Sequence, residues 1–242
     1  MKQKQLTGLR SRFRSGGIDR QVTDKAKILK PMIQYLILYC LSFFLIEHWR
    51  RAHYTVIHTA VDDHIPFMEI FIIPYAFWFI YMAAFGLYVF FVDERCYHEL
   101  CTFLAIGMTV FVIISAVFPN TLMLRPAVMP RSNVFTAMCS LLYRIDTPTN
   151  VTPSIHVYNS LGVMIAAWHT NGGRLRSYKS KIAVTAAGML IILSTMFLKQ
   201  HSFSDVIMAV GLAIISYIVI YRIGWTVVSD RRGQVHVSVY EH

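Results

Sequence analysis

The sequence predicts an all-α integral membrane protein, a bundle of six transmembrane helices with its polar, chemistry-bearing residues at the outer interface. Three observations carry this. Charged residues are 15% of the 242 and hydrophobic residues 55%, whereas a soluble domain carries about 25% charged residues. Six apolar runs reach or approach the roughly 20 residues that span a bilayer. The basic residues are segregated between alternate connections, as the positive-inside rule requires.

The elements follow in order. Residues 1–30 form a basic arm with nine Lys/Arg and no early apolar core, so no cleavable leader is expected. The arm reads as a topology determinant and an anchor for anionic lipids. The apolar runs are 31–49, 66–92, 100–118, 154–169, 182–198 and 206–225. In lipid every backbone polar group needs an internal partner, so each run is read as a helix and 31–225 as one membrane domain. The outer stretch 119–153 is long for a connection, and long loops are often functional; within it "NVFTAMCSLLY" suits a short interfacial helix. The tail 226–242 alternates like a strand but is short and isolated, and is expected to be disordered.

Counting Lys and Arg places seventeen on the side of the two termini and six on the other. Both termini are therefore expected in the cytoplasm, and the short connections favour a bacterial cytoplasmic membrane. The net charge of +10 belongs to this asymmetry and not to nucleic-acid binding. The four cysteines form no zinc spacing, and no disulfide is expected. The oligomeric state is not legible.

Two outer stretches carry chemistry. In "NVTPSIHVYNS", Pro153 and Ser154 start a helix whose free N–H groups favour an anion, with His156 at its mouth. In "LKQHSFSD", His201 and Asp205 are four apart, expected on one helical face at the start of the last helix. A carboxylate beside one ring nitrogen fixes the tautomer and frees the other as nucleophile or base. Lys199 adds positive charge nearby, and Arg125 a planar donor suited to phosphate. Each alone has an ordinary reading as an interfacial residue; together on one side they point to a site.

Other groups are read blandly. Asp62, Asp63 and His64 have metal-like side chains but too few oxygen ligands for a hard cation. His48, His53, His58 and His64 line the interface, and "FIIPYAFWFIYM" packs and anchors. Asn150 heads a glycosylation sequon beside the proposed site, where a glycan would crowd it. Asp146 suits a loop cap, and Asn159 lies one turn beyond His156.

The three motifs together resemble the type 2 phosphatidic acid phosphatase superfamily. "FPNTLMLRP" supplies Arg125 and Pro126, "PSIH" supplies Ser154 and His156, and "STMFLKQHSFSD" supplies Ser194, His201 and Asp205. The resemblance implies a membrane enzyme that needs neither metal nor cofactor and acts on a membrane lipid phosphate. His201 would attack phosphorus with Asp205 orienting it, and His156 would protonate the leaving alcohol. Arg125, Ser154 and backbone N–H groups would hold the phosphoryl oxygens.

Two positions depart from the family pattern: Phe118 stands where its first-motif Lys falls, and Thr195 where its third-motif Arg falls. Lys199 is expected to replace one cation, and Arg131 or Arg144 the other. Thr195 also resembles the inositol phosphorylceramide synthase branch, so transfer to a lipid alcohol stays open beside hydrolysis of a phosphate monoester, as does a catalytically weak lipid-binding relative.

Overall fold

The structure, a computed structural model, describes residues 2–49, 51–230 and 234–239, with side chains from residue 25 onward. The lipid contacts expected of the basic arm before residue 25 lie outside the described side chains.

The helices are α1 (Lys2–His48), α2 (Ala60–His64), α3 (Ile72–Val92), α4 (Glu94–Val117), α5 (Val134–Ile145), α6 (Ile155–His169), α7 (Tyr178–Phe197) and α8 (Phe203–Tyr217), which continues as a π-helical turn over Ile218–Arg222. α5 is the short helix expected in the long connection, capped by Asn133. Two pairs of short strands complete the chain: β1 (Thr55–Ile57) beside β2 (Asn120–Leu122), and β3 (Trp225–Ser229) beside β4 (Val235–Val239).

Among the described residues, five segments are long and apolar enough to cross a membrane: Lys25–His48, Glu69–Val92, Glu94–Val117, Tyr178–Phe197 and Phe203–Arg222. Of the six apolar runs, the fourth, α6, only approaches a full span. It has 15 residues, about 22 Å at 1.5 Å per residue, against a hydrocarbon core of about 30 Å. Pro153 and the Thr170–Gly173 turn bound it. α6 is the inner helix, packed on α3, α4, α7 and α8; Val157, Tyr158, Val163, Ala166 and Ala167 are all wholly buried.

Two glycines allow α4 and α6 to approach. A Cβ on Gly107 would lie 1.9 Å from the Tyr158 ring, and one on Gly162 would lie 2.6 Å from the Phe103 ring. The two rings stack at 4.5 Å. Tyr158 Oη donates to the Phe103 carbonyl at 2.8 Å and lies 2.7 Å from Ser216 Oγ, tying α6 to both α4 and α8. Small residues at a helix crossing are the usual means of close packing in lipid.

The tail also departs from expectation. Residues 235–239 are a strand, paired antiparallel with β3 so that Val227 faces Val237. The hairpin is not isolated, because it leans on α4: the Val227 N–H donates to Thr102 Oγ1 at 2.9 Å. It also serves α1. Pro31 has no N–H, so the Lys27 carbonyl loses its partner one turn earlier; Ser229 Oγ donates to that carbonyl at 3.4 Å. A cavity of about 380 Å³ remains between α1, α4 and the hairpin.

Candidate active site

The site forms at one end of the bundle, where α6 and α8 begin. Asn120, wholly buried, organises the approach to α6. Its Oδ1 accepts the Val151 and Thr152 N–H groups at 2.8 and 3.2 Å, and its carbonyl accepts the Asn150 N–H at 2.7 Å. Asn150 itself is 5% exposed and donates to Glu47, which leaves no room for a glycan. Thr152 and Pro153 join through a cis peptide bond. Ser154 then caps α6, its Oγ accepting the Val157 N–H.

The α7–α8 connection delivers the other half. It is a tight turn with Lys199 at φ 54°, a conformation that disfavours most side chains. The Thr195 carbonyl accepts both the Gln200 and His201 N–H groups, at 2.9 and 3.1 Å. Thr195, where the family pattern has a cation, is wholly buried, and its hydroxyl donates to Ile192.

α8 begins at Phe203 with Ser202 as its cap. The His201–Asp205 pair is therefore not the expected helical face. His201 precedes the helix, and Asp205 is the third helical residue of a capping box. The Ser202 N–H donates to Asp205 Oδ2 at 2.8 Å, and Thr152 Oγ1 donates to Oδ1. His201 Nδ1 lies 3.6 Å from Oδ2. Asp205 is wholly buried, and it joins three segments: the approach to α6, the α7–α8 turn and α8 itself. With Nδ1 facing the carboxylate, Nε2 is the ring nitrogen left for chemistry.

His156 faces this pair with ring centroids 6.0 Å apart. Its ring is cradled by α3: Tyr75 stacks on it at 4.7 Å and Trp78 lies at 4.3 Å. Tyr75 Oη in turn donates to Asp146 Oδ2 at 3.2 Å. Arg125 sits over the Tyr143 ring and donates to the carbonyls of Asp146 and Thr147. Its Nη2 lies 2.5 Å from Gln200 Oε1. Burial lowers the affinity of this guanidinium for its proton, with Asp146 opposing. Among the described residues, Arg125 Nε, Gln200 Nε2 and Trp78 Nε1 are buried donors without a partner. Trp78 touches His156, Gln200 precedes His201, and Arg125 reaches the histidine end through Gln200; His201 Nδ1 is likewise buried without a hydrogen-bond partner.

The structure thus brings His156, His201, Asp205 and Ser154 to one end, with Arg125 joined to them through Gln200. Lys199 is placed otherwise. Its Nζ donates to the carbonyls of Asp62 and Ile65 at 2.7 and 2.5 Å. Arg131, named as a stand-in cation, is paired with Glu69 at 2.8 Å. Arg144 lies in the last turn of α5. Asn159 is buried with its Oδ1 unpartnered.

Sequence reasoning missed Tyr75, Trp78, Thr152 and Gln200. Only the Tyr75–Trp78 spacing, one helical turn within the aromatic run, offered a signal. Residues 119–229 match the family model described as the PAP2 superfamily. No curated protein and no solved structure matches the chain.

Proposed function

Because residues 119–229 belong to the PAP2 superfamily, whose chemistry is phosphatase or phosphotransferase action on phosphate esters, we propose that this protein is a membrane phosphatase for lipid phosphate monoesters, phosphatidate-like or isoprenoid. The observation that carries the reading is the facing pair of histidines, 6.0 Å apart, one of which is backed by a buried carboxylate. That separation leaves room for a phosphoryl group between a nucleophile and an acid.

In the proposed reaction, His201 Nε2 forms a bond to phosphorus as the ester P–O bond breaks. The leaving oxygen takes a proton from His156. A water then attacks the phosphohistidine while His156 accepts its proton; the P–N bond breaks and inorganic phosphate leaves. Asp205 orients His201 and stabilises the positive charge that develops on its ring. Ser154, the α6 N–H groups, Arg125 and the free donors of Gln200 and Trp78 would receive the phosphoryl oxygens. The charge asymmetry of the connections supports placing this end outside the cytoplasm.

One observation favours a second reading, transfer of a phosphorylated headgroup to a lipid alcohol. With Lys199 on carbonyls and Arg131 on Glu69, Arg125 is the cation tied to the site. The free donors beside the histidines, Gln200 Nε2 and Trp78 Nε1, are neutral. Such a set suits a singly charged phosphodiester better than a doubly charged monoester.

Phosphate release from a panel of lipid phosphates in detergent micelles, with EDTA and beside His201→Ala, tests the first reading. Release that vanishes in the variant supports it. No release, with headgroup transfer to diacylglycerol or ceramide, supports the second. Lipid affinity that survives His201→Ala with no turnover in either protein means a lipid-binding relative.

A further inference from the structure

We propose that Asp62 is a positioning residue for the active site: the short α2 turn, Thr59–Ile65, clamps the α7–α8 turn and so sets where His201 stands. This rests on His201 being the nucleophile.

The clamp grips the α7–α8 turn at both ends. At the entry, Lys199 Nζ donates to the Asp62 and Ile65 carbonyls, and the Met68 N–H donates to the Phe197 carbonyl at 3.0 Å. At the exit, the Asp62 carboxylate takes over. Ser202 Oγ donates to Oδ2 at 2.6 Å, and the Phe203 N–H donates to Oδ1 at 2.7 Å. The Thr59 N–H and hydroxyl complete Oδ2 at 2.7 and 2.9 Å. His201 lies between the two grips.

The path to His201 is short. Asp62 fixes Ser202, the Ser202 N–H holds Asp205 Oδ2, and that oxygen faces His201 Nδ1. Asp62 is 1% exposed. A buried carboxylate is costly unless its oxygens are fully hydrogen-bonded, and here donors reach both. Burial alone would raise its proton affinity, but the bonds from Ser202, Phe203 and Thr59 outweigh it and hold the carboxyl below its ordinary value. The group is thus an anion across the working pH range, so the clamp is permanently set. The Lys199 ammonium answers the left-handed backbone at that residue, which the turn needs to present Gln200 and His201 to the Thr195 carbonyl.

The test compares Asp62→Asn, Asp62→Ala, Ser202→Ala and the Asp62→Ala/Ser202→Ala pair, beside His201→Ala, in the full chain. Readouts are kcat and KM per folded molecule and melting temperature. Misplacing a reacting group by about 1 Å can cost about 10²-fold. The expected result for Asp62→Asn and Ser202→Ala is a fall in kcat of roughly 10- to 100-fold with KM little changed. The pair should cost less in kcat than the two single changes multiplied together, since they share the Ser202 Oγ–Asp62 Oδ2 bond.

Asp62 and Ser202 variants that turn over like wild type while His201→Ala is dead overturn the clamp alone. An active His201→Ala overturns the reading beneath it as well. A loss that only tracks unfolded protein, with kcat per folded molecule at the wild-type value, reduces Asp62 to a fold contact. Should the Asp62 variants not fold, Ser202→Ala decides, because it removes the shared bond and the Ser204 N–H cap while the Phe203 and Thr59 bonds to Asp62 stay in place.

Discussion

Asp205→Asn separates charge from shape at the centre of the site. The amide can place its nitrogen toward Thr152, whose hydroxyl turns to accept, and keep its oxygen toward the Ser202 N–H and His201. The capping geometry then survives and the charge is lost. Taking 3.6 Å between Oδ2 and Nδ1, an imidazolium forming on His201 gains at most about 4.6 kcal/mol from the carboxylate at an effective dielectric of about 20. Each 1.36 kcal/mol is about tenfold in rate, which sets a ceiling near 10³-fold. The amide dipole retains part of this, so a fall of about 10²- to 10³-fold in kcat is expected. Stability should fall by only about 1 kcal/mol, the difference between a charged and a neutral bond to the Ser202 N–H. The assay is kcat on lipid phosphate in micelles, with melting temperature measured on the same preparation. Turnover within about threefold of wild type, at unchanged stability, would refute the assignment of Asp205 as the group that stabilises His201.

Other expectations follow from separate features. Gly107→Ala should cost about 1–3 kcal/mol, because the fully buried Tyr158 ring cannot move aside; thermal melting measures it, with Gly211→Ala, where nothing lies within 4 Å, as the neutral control. Gln200→Leu removes both the Arg125 partner and a free donor; kcat/KM should drop about 10- to 100-fold. Asp62 contributes a pH dependence of known sign. Its folded value lies below the ordinary 3.8, so its stabilisation is fully present above that value and lost as pH falls through the folded one. The melting difference between wild type and Asp62→Asn should therefore be flat at neutral pH and shrink below about pH 4. Removing residues 225–242 takes away the Ser229 and Val227 bonds to α1 and α4, and should lower melting by a few degrees while leaving the histidine end and KM unchanged.

The apolar runs and the starts of α6 and α8 were legible because their signals are local. A Pro-Ser before an apolar run is a helix start, and the spacing of Ser202 and Asp205 is that of a capping box. The helical-face reading of His201 and Asp205 named two residues that do lie close, but through a turn feeding a capped helix and not along one helical face. What could not be read is long-range. Lys199 looked like a phosphate ligand because its partners, the Asp62 and Ile65 carbonyls, lie more than 130 positions away. The Asp-Asp-His of α2 looked like a poor metal site, and nothing nearby announced that Asp62 meets Ser202. The tail failed likewise: its strand pattern was visible, but its support comes from Thr102 and from the gap that Pro31 leaves in α1.

The shortness of α6 has a consequence for solvation. About 8 Å of the bilayer depth beside it must be filled by its flanking segments, if a helix of 15 residues lies in a slab of about 30 Å. Lipid cannot hydrate non-helical backbone, so such backbone is tolerated only where protein encloses it. This is the task of Asn120, whose side chain and carbonyl serve three successive N–H groups of residues 150–152, while longer helices flank it. Protein hydrogen bonds thus satisfy the non-helical backbone where α6 begins. On the proposed reading, a lipid phosphate head would meet its site at that depth while its tails stay in the hydrocarbon.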